Sequence, residues 1–469
     1  MRLTPLLALF SVALACAAEP AKRPPNIVLL YSDDIGWGDL GCYGAKVIPT
    51  PNIDRLAAQG LRFTAGYCTS ATCTPSRYSL LTGEYAWRRQ GTGVLPGDAN
   101  MIIKPGRPTL PASLAKLGYA TGVVGKWHLG LGPEGGPDWN GQIKPGPLEI
   151  GFDHAFLLPA TGDRVPCVYV EDRRVVGLDP RDPIRVSYRE KVGNEPTGRE
   201  NPELLRLRHT HGHDFTIING VGRIGWMTGG KAALWKDEDM SDTFAARAVS
   251  FIERSAGAPF FLYLATHGIH VPRVPHPRFA GRSAGGTRGD AIEELDDLVA
   301  KVLATLDRLG LWESTIVVFL GDHGYHLGER TWWNKNTLFE RSCRAPLLIA
   351  APGAKPGVAR GLVEFVDLYP TLAELCGLTP PAGLAGQSLL PLLRDPDAPG
   401  KAAAFTLVNR GAARGDSVRT PRWRFTRWSD GAVELYDHDS DPEENRNVAT
   451  AQPEVVERLA AMLPRSLAR

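Results

Sequence analysis

Cys73-Thr74-Pro75-Ser76-Arg77, continued by Tyr78-Ser79-Leu80-Leu81-Thr82-Gly83, places a nucleophile, a helix start and a cation within one short string. Pro75 suits a first helical turn and Leu80 and Leu81 continue an apolar face, so the cysteine is expected where a helix begins. The first-turn amides of such a helix have no acceptor within the helix. With Arg77 one turn on, they make a seat for an oxyanion. A thiol placed there would be activated as a thiolate.

Polar residues gather again after four apolar runs. Residues 26–31 lead into Ser32-Asp33-Asp34, and residues 119–124 into Gly125-Lys126-Trp127-His128. Residues 259–264 lead into Ala265-Thr266-His267-Gly268-Ile269-His270, and residues 314–320 into Gly321-Asp322-His323-Gly324. The runs are rich in Val, Ile and Phe and nearly without alternation, which suits strands buried on both faces. Helical patterns lie between them at 52–59, 110–117, 239–254 and 291–309. The last carries Ile292, Leu295, Leu298, Val299, Val302, Leu303 and Leu306 on one face. This alternation predicts an α/β fold, a mostly parallel sheet sandwiched by helices. Such sheets bind ligands beyond the carboxyl ends of their strands, so all four polar clusters are expected at one edge.

Asp33, Asp34, Asp322 and His323 read as one divalent-metal site. Three carboxylates are hard oxygen donors, suited to calcium, or magnesium in its place, more than to zinc. Adjacent acids at a strand end repel each other unless a cation lies between them. Lys126 and His128, in G-K-x-H, and His270 form the next layer. Which of His267 and His270 faces the site is open at this level.

The string C-x-P-S-R-x-x-L-L-T-G resembles the signature of the type I, formylglycine-dependent sulfatases, and residues 118–128 resemble that family's second signature. Residues 263–270 resemble its histidine-bearing strand end, and Lys335 its sulfate-capping lysine. The stretch Asp322-His323-Gly324-Tyr325-His326-Leu327-Gly328-Glu329 looks most like the iduronate-sulfatase branch, while the middle of the chain looks more like bacterial arylsulfatases. The resemblance covers residues 25 to about 449. It implies an alkaline-phosphatase-like catalytic domain over 23–395 and a smaller C-terminal α+β subdomain over 401–469. Residues 423–428 and 433–436 of that subdomain read as a hairpin around Ser429-Asp430-Gly431, with a closing helix at 453–465.

The resemblance also implies a chemistry. Cys73 would be converted to formylglycine by a formylglycine-generating enzyme, and its hydrate would attack the sulfur of a sulfated small molecule or glycan. Arg77, Lys126 and Lys335 would spread positive charge over the sulfate, and Asp322 would take a proton from the attacking hydroxyl. His270 or Lys335 would protonate the leaving alcohol, and His128 would help the second hydroxyl expel sulfate. Phosphonate monoester and phosphodiester hydrolases share the signature, so a phosphorus ester is the nearest alternative. An unmodified Cys73 would leave a sulfate-binding protein without turnover.

Substrate-contacting residues are sought between 163 and 233, where Arg164, His211, His213 and Lys231 are candidates. The histidines either line a pocket or decorate a loop. Trp332 and Trp333 beside Lys335 either stack on a sugar or pack inward.

The 53 Lys and Arg against 51 Asp and Glu give a net charge of +2, which points to no nucleic-acid partner. Arg2, the apolar run from Leu6 to Leu14 and the small residues up to Ala18 read as an export signal over 1–18. A periplasmic or secreted protein is expected, cleaved near Ala18 or lipid-anchored through Cys16. No C-x-x-C pair occurs among the seven cysteines, so buried thiols with at most one or two bridges are expected. The sequence does not set the oligomeric state.

Overall fold

The computed structural model describes residues 23–208, 212–411 and 413–464. Its centre is a ten-stranded sheet. The strand order is Gly357–Ala359, Leu61–Phe63, Leu347–Ala350, Thr315–Gly321, Asn26–Ser32, Phe260–Thr266, Ala120–Lys126, His154–Leu158, Val170–Glu171 and Arg174–Val175. The five strands from Thr315–Gly321 to His154–Leu158 are mutually parallel, and antiparallel pairings flank them. All four apolar runs are therefore strands, and they lie side by side.

Their interior residues show why. Ile27, Val28, Leu29, Leu30 and Tyr31 are at most 1 % exposed, and residues 260–264 and 316–320 are equally buried. Each such side chain contributes about 1.5–3 kcal/mol on burial. Two groups of helices cover the sheet. Pro51–Gln59, Met240–Ser255 and Gly286–Arg308 pack together, as do Cys73–Thr82, Leu110–Ala115 and Leu368–Leu375. Neighbouring residues of one strand show that the two groups take opposite faces. Gly122 abuts Phe251 of the first group, and Thr121 bonds to the carbonyl of Gly151, which abuts Ala112 of the second.

The C-terminal sheet has four antiparallel strands in sequence order, Ala404–Arg410, Ala413–Arg419, Trp423–Trp428 and Val433–Asp437. The hairpin read from sequence is its second half. Helix Pro453–Met462 follows, and Leu459 closes a small core with Val418, Phe425 and Leu435. Buried charges fasten this sheet to the larger domain, with Arg424 pairing to both Glu340 and Glu444. The Thr406 hydroxyl donates to the Cys68 carbonyl, and Ser70 bridges to Leu407. The C-terminal sheet is thereby pinned beside the loop that precedes Cys73.

None of the described helices is long and apolar enough to cross a membrane. Residues 1–18, with Cys16, lie outside the described residues.

Candidate active site

Parallel register brings the strand ends together. Ser32 is paired with both Thr266 and Gly321, and Ala265 with Gly125. The residues that follow must share one edge. Gly125 permits this closeness, since a Cβ there would lie 2.0 Å from the Ala265 carbonyl oxygen. At the same edge Asp34 has φ 58° and His128 φ 55°. Left-handed backbone costs such residues about 1–3 kcal/mol and is tolerated where side chains must be aimed.

Cys73 opens the helix Cys73–Thr82 as expected, with Thr72 in extended conformation before it. Its Sγ lies 3.4 Å from Lys335 Nζ and 3.9 Å from His323 Nε2. Burial opposes ionisation of the thiol, yet Lys126 and Lys335 hold it well below its usual range.

Asp33, Asp34, Asp322 and His323 converge around that sulfur. Donor atoms of Asp33, Cys73, Asp322 and His323 all lie within 4.8 Å of one another, as do those of Asp33, Asp34, Cys73 and His270. His323 Nε2 is 3.3 Å from both Asp34 and Asp322, while its Nδ1–H donates to the Gly324 carbonyl at 2.9 Å. That bond leaves the Nε2 lone pair for the cluster, the usual arrangement of a metal-binding histidine. Burial pushes the Asp322 carboxyl up to about 6; Asp33 adds to this, and His323 and Arg77 oppose it.

Three cations surround the acids. Lys126 pairs with Asp33 and Lys335 with Asp34. The Arg77 guanidinium reaches Asp322 at 3.1 Å beneath the face of the Tyr31 ring, fully buried.

The two histidines of the Phe260–Thr266 strand end divide cleanly. His267 Nε2 accepts the Gly162 N–H at 2.9 Å, so its proton is on Nδ1, which donates to Asp33 at 3.2 Å. His270 donates Nδ1–H to the Val271 carbonyl at 2.6 Å and leaves Nε2 for the site. Burial and Lys335 oppose charge on His270, but Asp33, Asp34 and Asp163 prevail and its pKa is raised. Burial pushes His267 down to about 4. Burial does the same to His128, whose Nε2 donates to the Leu95 carbonyl and whose Nδ1 is buried without a hydrogen-bond partner.

The substrate-side candidates separate. Arg164 and His213 both bond to Asp163, at 2.8 and 3.0 Å. Asp163 acts electrostatically on His270, and Cys73 on Arg164, so this cluster borders the site. Nothing in the sequence singles out Asp163, because a buried acid in a loop has no periodicity to mark it. Lys231 is a correction. It is exposed in the short helix Lys231–Ala233, its backbone N–H donates to Asp182, and it makes no described contact with any site residue. Local turn chemistry placed it there. His211 lies outside the described residues. Trp332 and Trp333 do not pack inward: they are 37 % and 55 % exposed, on the hairpin that carries Lys335. The six described cysteines are free thiols, five of them buried.

The sulfatase family profile matches residues 25–378. The chain belongs to the sulfatase family. It is therefore a sulfuric ester hydrolase. A profile described as N-sulphoglucosamine sulphohydrolase, C-terminal, matches residues 328–469. An N-acetylgalactosamine-6-O-sulfatase of Bacteroides thetaiotaomicron is 44 % identical, covering 98 % of each chain. Human arylsulfatase A is 34 % identical, over 96 % of this sulfatase and 89 % of its own length. A solved structure concerned with the metabolism of multiple glycosaminoglycans by Bacteroides thetaiotaomicron superposes with TM-score 0.89 at 44 % identity. It covers 94 % of this chain and 98 % of that one.

Proposed function

We propose that this sulfatase releases sulfate from a sulfated glycan, with N-acetylgalactosamine 6-sulfate as the leading substrate, using formylglycine at position 73 and a bound divalent cation. The carrying observation is the meeting of Cys73 with three acids, His323 and three cations at one sheet edge. The sugar is suggested by the relative that shares 44 % identity over nearly the whole length.

A cation fits the residues present. Asp33, Asp34 and Asp322 are balanced by Arg77, Lys126 and Lys335, so the cluster alone has no surplus charge to hold an anion. Asp33 Oδ1 is buried without a hydrogen-bond partner, and His323 presents a lone pair. Oxygen-rich donors of this kind suit calcium or magnesium. Asp33, Asp34, Asp322 and His323 would hold the ion, which would act as a Lewis acid on a sulfate oxygen. Position 73, oxidised by a formylglycine-generating enzyme, would supply a hydrated aldehyde with one hydroxyl to attack sulfur and another to expel sulfate.

The remaining work falls to side chains. Arg77, Lys126 and Lys335 lie where they neutralise sulfate oxygens before an electron-rich nucleophile approaches. Asp322 is a buried base for the attacking hydroxyl. His270, with Nε2 facing the site, protonates the departing alcohol. His128 offers its Nδ1 lone pair to the second hydroxyl. His267 positions Asp33. Export follows as a further proposal from the leader-like residues 1–18.

The test is sulfate release by protein co-produced with a formylglycine-generating enzyme. N-acetylgalactosamine 6-sulfate should be turned over, and an aryl phosphonate hydrolysed poorly. Cleavage of the phosphonate with no sulfate released from any ester would overturn the reading.

A further inference from the structure

A cavity of about 480 Å³ opens beside the nucleophile, between the residues around Cys73 and the C-terminal sheet. Thr72, Trp87, Arg89, Asn336, Asn409 and Arg414 are among its lining. We propose that it is a subsite for an acidic sugar adjoining the sulfated one, so that the enzyme selects oligosaccharides of a carboxylated glycan. This rests on the sulfatase reading above and extends it.

Position is the first argument. Thr72 and Asn336 are the chain neighbours of Cys73 and Lys335, and the Asn336 N–H donates to the Ala71 carbonyl at 3.2 Å. Consecutive residues are about 3.8 Å apart, so a group in the cavity stands one short link from the reacting sulfate. Volume is the second. The space exceeds what a single sulfate or a small phenol would fill, and pockets of this size hold organic ligands.

Chemistry is the third. The lining has two arginines and no acid. Arg414 has both Nε and one terminal nitrogen on Asp416. Arg89 bonds through Nε to Glu84 and its side chain is 54 % exposed, so its outer fork is the one placed to meet a planar carboxylate. Tyr85 stacks on the Trp87 indole at 4.1 Å and 18°, which fixes an aromatic ring in the wall where a sugar face can lie. Asn336, held at φ 65°, has a buried Oδ1 with no hydrogen-bond partner. Such an orphan acceptor is costly unless a ligand hydroxyl donates to it. No step of the hydrolysis needs any of these groups.

The experiment compares three substrates: the 6-sulfated N-acetylhexosamine alone, its disaccharide with a neighbouring hexuronate, and that disaccharide with the carboxyl reduced to an alcohol. The wild-type enzyme should favour the hexuronate disaccharide over the other two by about 10–100-fold in kcat/KM, the scale of a charge-assisted hydrogen bond. Arg89→Ala should collapse that ratio, and Trp87→Ala should lower kcat/KM on both disaccharides relative to the monosaccharide. Calorimetric titration of the Cys73→Ala protein with the same compounds reads the subsite independently of turnover. Equal affinity for the carboxylate and reduced disaccharides, or a ratio untouched by Arg89→Ala, would overturn the subsite. Absence of turnover with the binding preference intact would instead count against the catalytic reading alone.

Discussion

The imidazole of His267 lies 3.2 Å from the carboxylate of Asp33 and takes the Gly162 N–H on its other nitrogen, so its one proton is committed to Asp33. His270, with its ring centroid 5.1 Å away, is tied only at Nδ1. The pair therefore divides into a holder of Asp33 and a proton donor. His270→Ala should slow hydrolysis of a sugar sulfate by ~10²–10⁴ while largely sparing nitrophenyl sulfate, whose phenolate departs unaided. His267→Ala should slow both substrates alike, because Asp33 loses a partner. Steady-state kinetics of the two variants on the two substrates checks this; a selective loss in His267→Ala would reverse the assignment.

Cys73 is expected as formylglycine in active protein. The tryptic peptide from Phe63 to Arg77 should then be lighter than its thiol form and react with an aldehyde-directed hydrazine. Cys73→Ala should bind a sulfate ester and release no sulfate. A fully active preparation with an intact thiol in that peptide would refute the mechanism.

Much of this site is legible in sequence because its strands are long, buried on both faces and end abruptly in polar residues. Asn26–Ser32 and Thr315–Gly321 announce themselves by uninterrupted Val, Ile, Leu and Phe, and parallel register then forces Asp33 and Asp322 together. Strands Ala404–Arg410 and Ala413–Arg419 are not legible in the same way. Arg414, Asp416 and Ser417 interrupt the apolar pattern, and the pairing is supplied by neighbours. The choice between His267 and His270 depends on Gly162, 105 residues from His267, and no local spacing encodes that bond. Lys231 and Arg164 look alike as basic residues of one segment; only the fold shows that Asp163 keeps Arg164 at the site.

Asp34 is strained at φ 58° and faces Lys335 and His323, so its charge is needed for more than solvation. Asp34→Asn keeps the shape and removes a hard anionic donor. Bound calcium or magnesium and activity should fall together by at least about tenfold, since losing a charged ligand costs more than a neutral hydrogen bond. Elemental analysis of the purified proteins, with chelation and re-addition of each metal, checks it. Full activity in chelated wild-type enzyme would remove the cation from the mechanism.

Glu294 gives a pH dependence remote from the metal-binding acids. It sits on helix Gly286–Arg308, is 4 % exposed, and accepts the His276 N–H at 3.1 Å. Burial pushes its carboxyl up to about 7; Asp242 adds to this, while the His276 N–H, Arg278 and the Ser241 hydroxyl oppose it. An unfolded glutamate titrates near 4.3, so between about pH 4.3 and 7 the folded chain holds this proton and the unfolded chain does not. Stability from this group is therefore fully present below the lower value and is lost as pH rises through the upper one. The ceiling on that loss is about 3 kcal/mol, because each tenfold difference in proton affinity between the folded and unfolded chains is worth roughly 1.4 kcal/mol. Glu294→Gln keeps the acceptor and cannot ionise, so the variant should gain stability over wild type at pH 8 and match it at pH 5. Denaturant midpoints at the two pH values measure the difference. A variant whose midpoint falls between pH 5 and 8 by as much as wild type would show that the Glu294 carboxyl titrates normally in the folded chain.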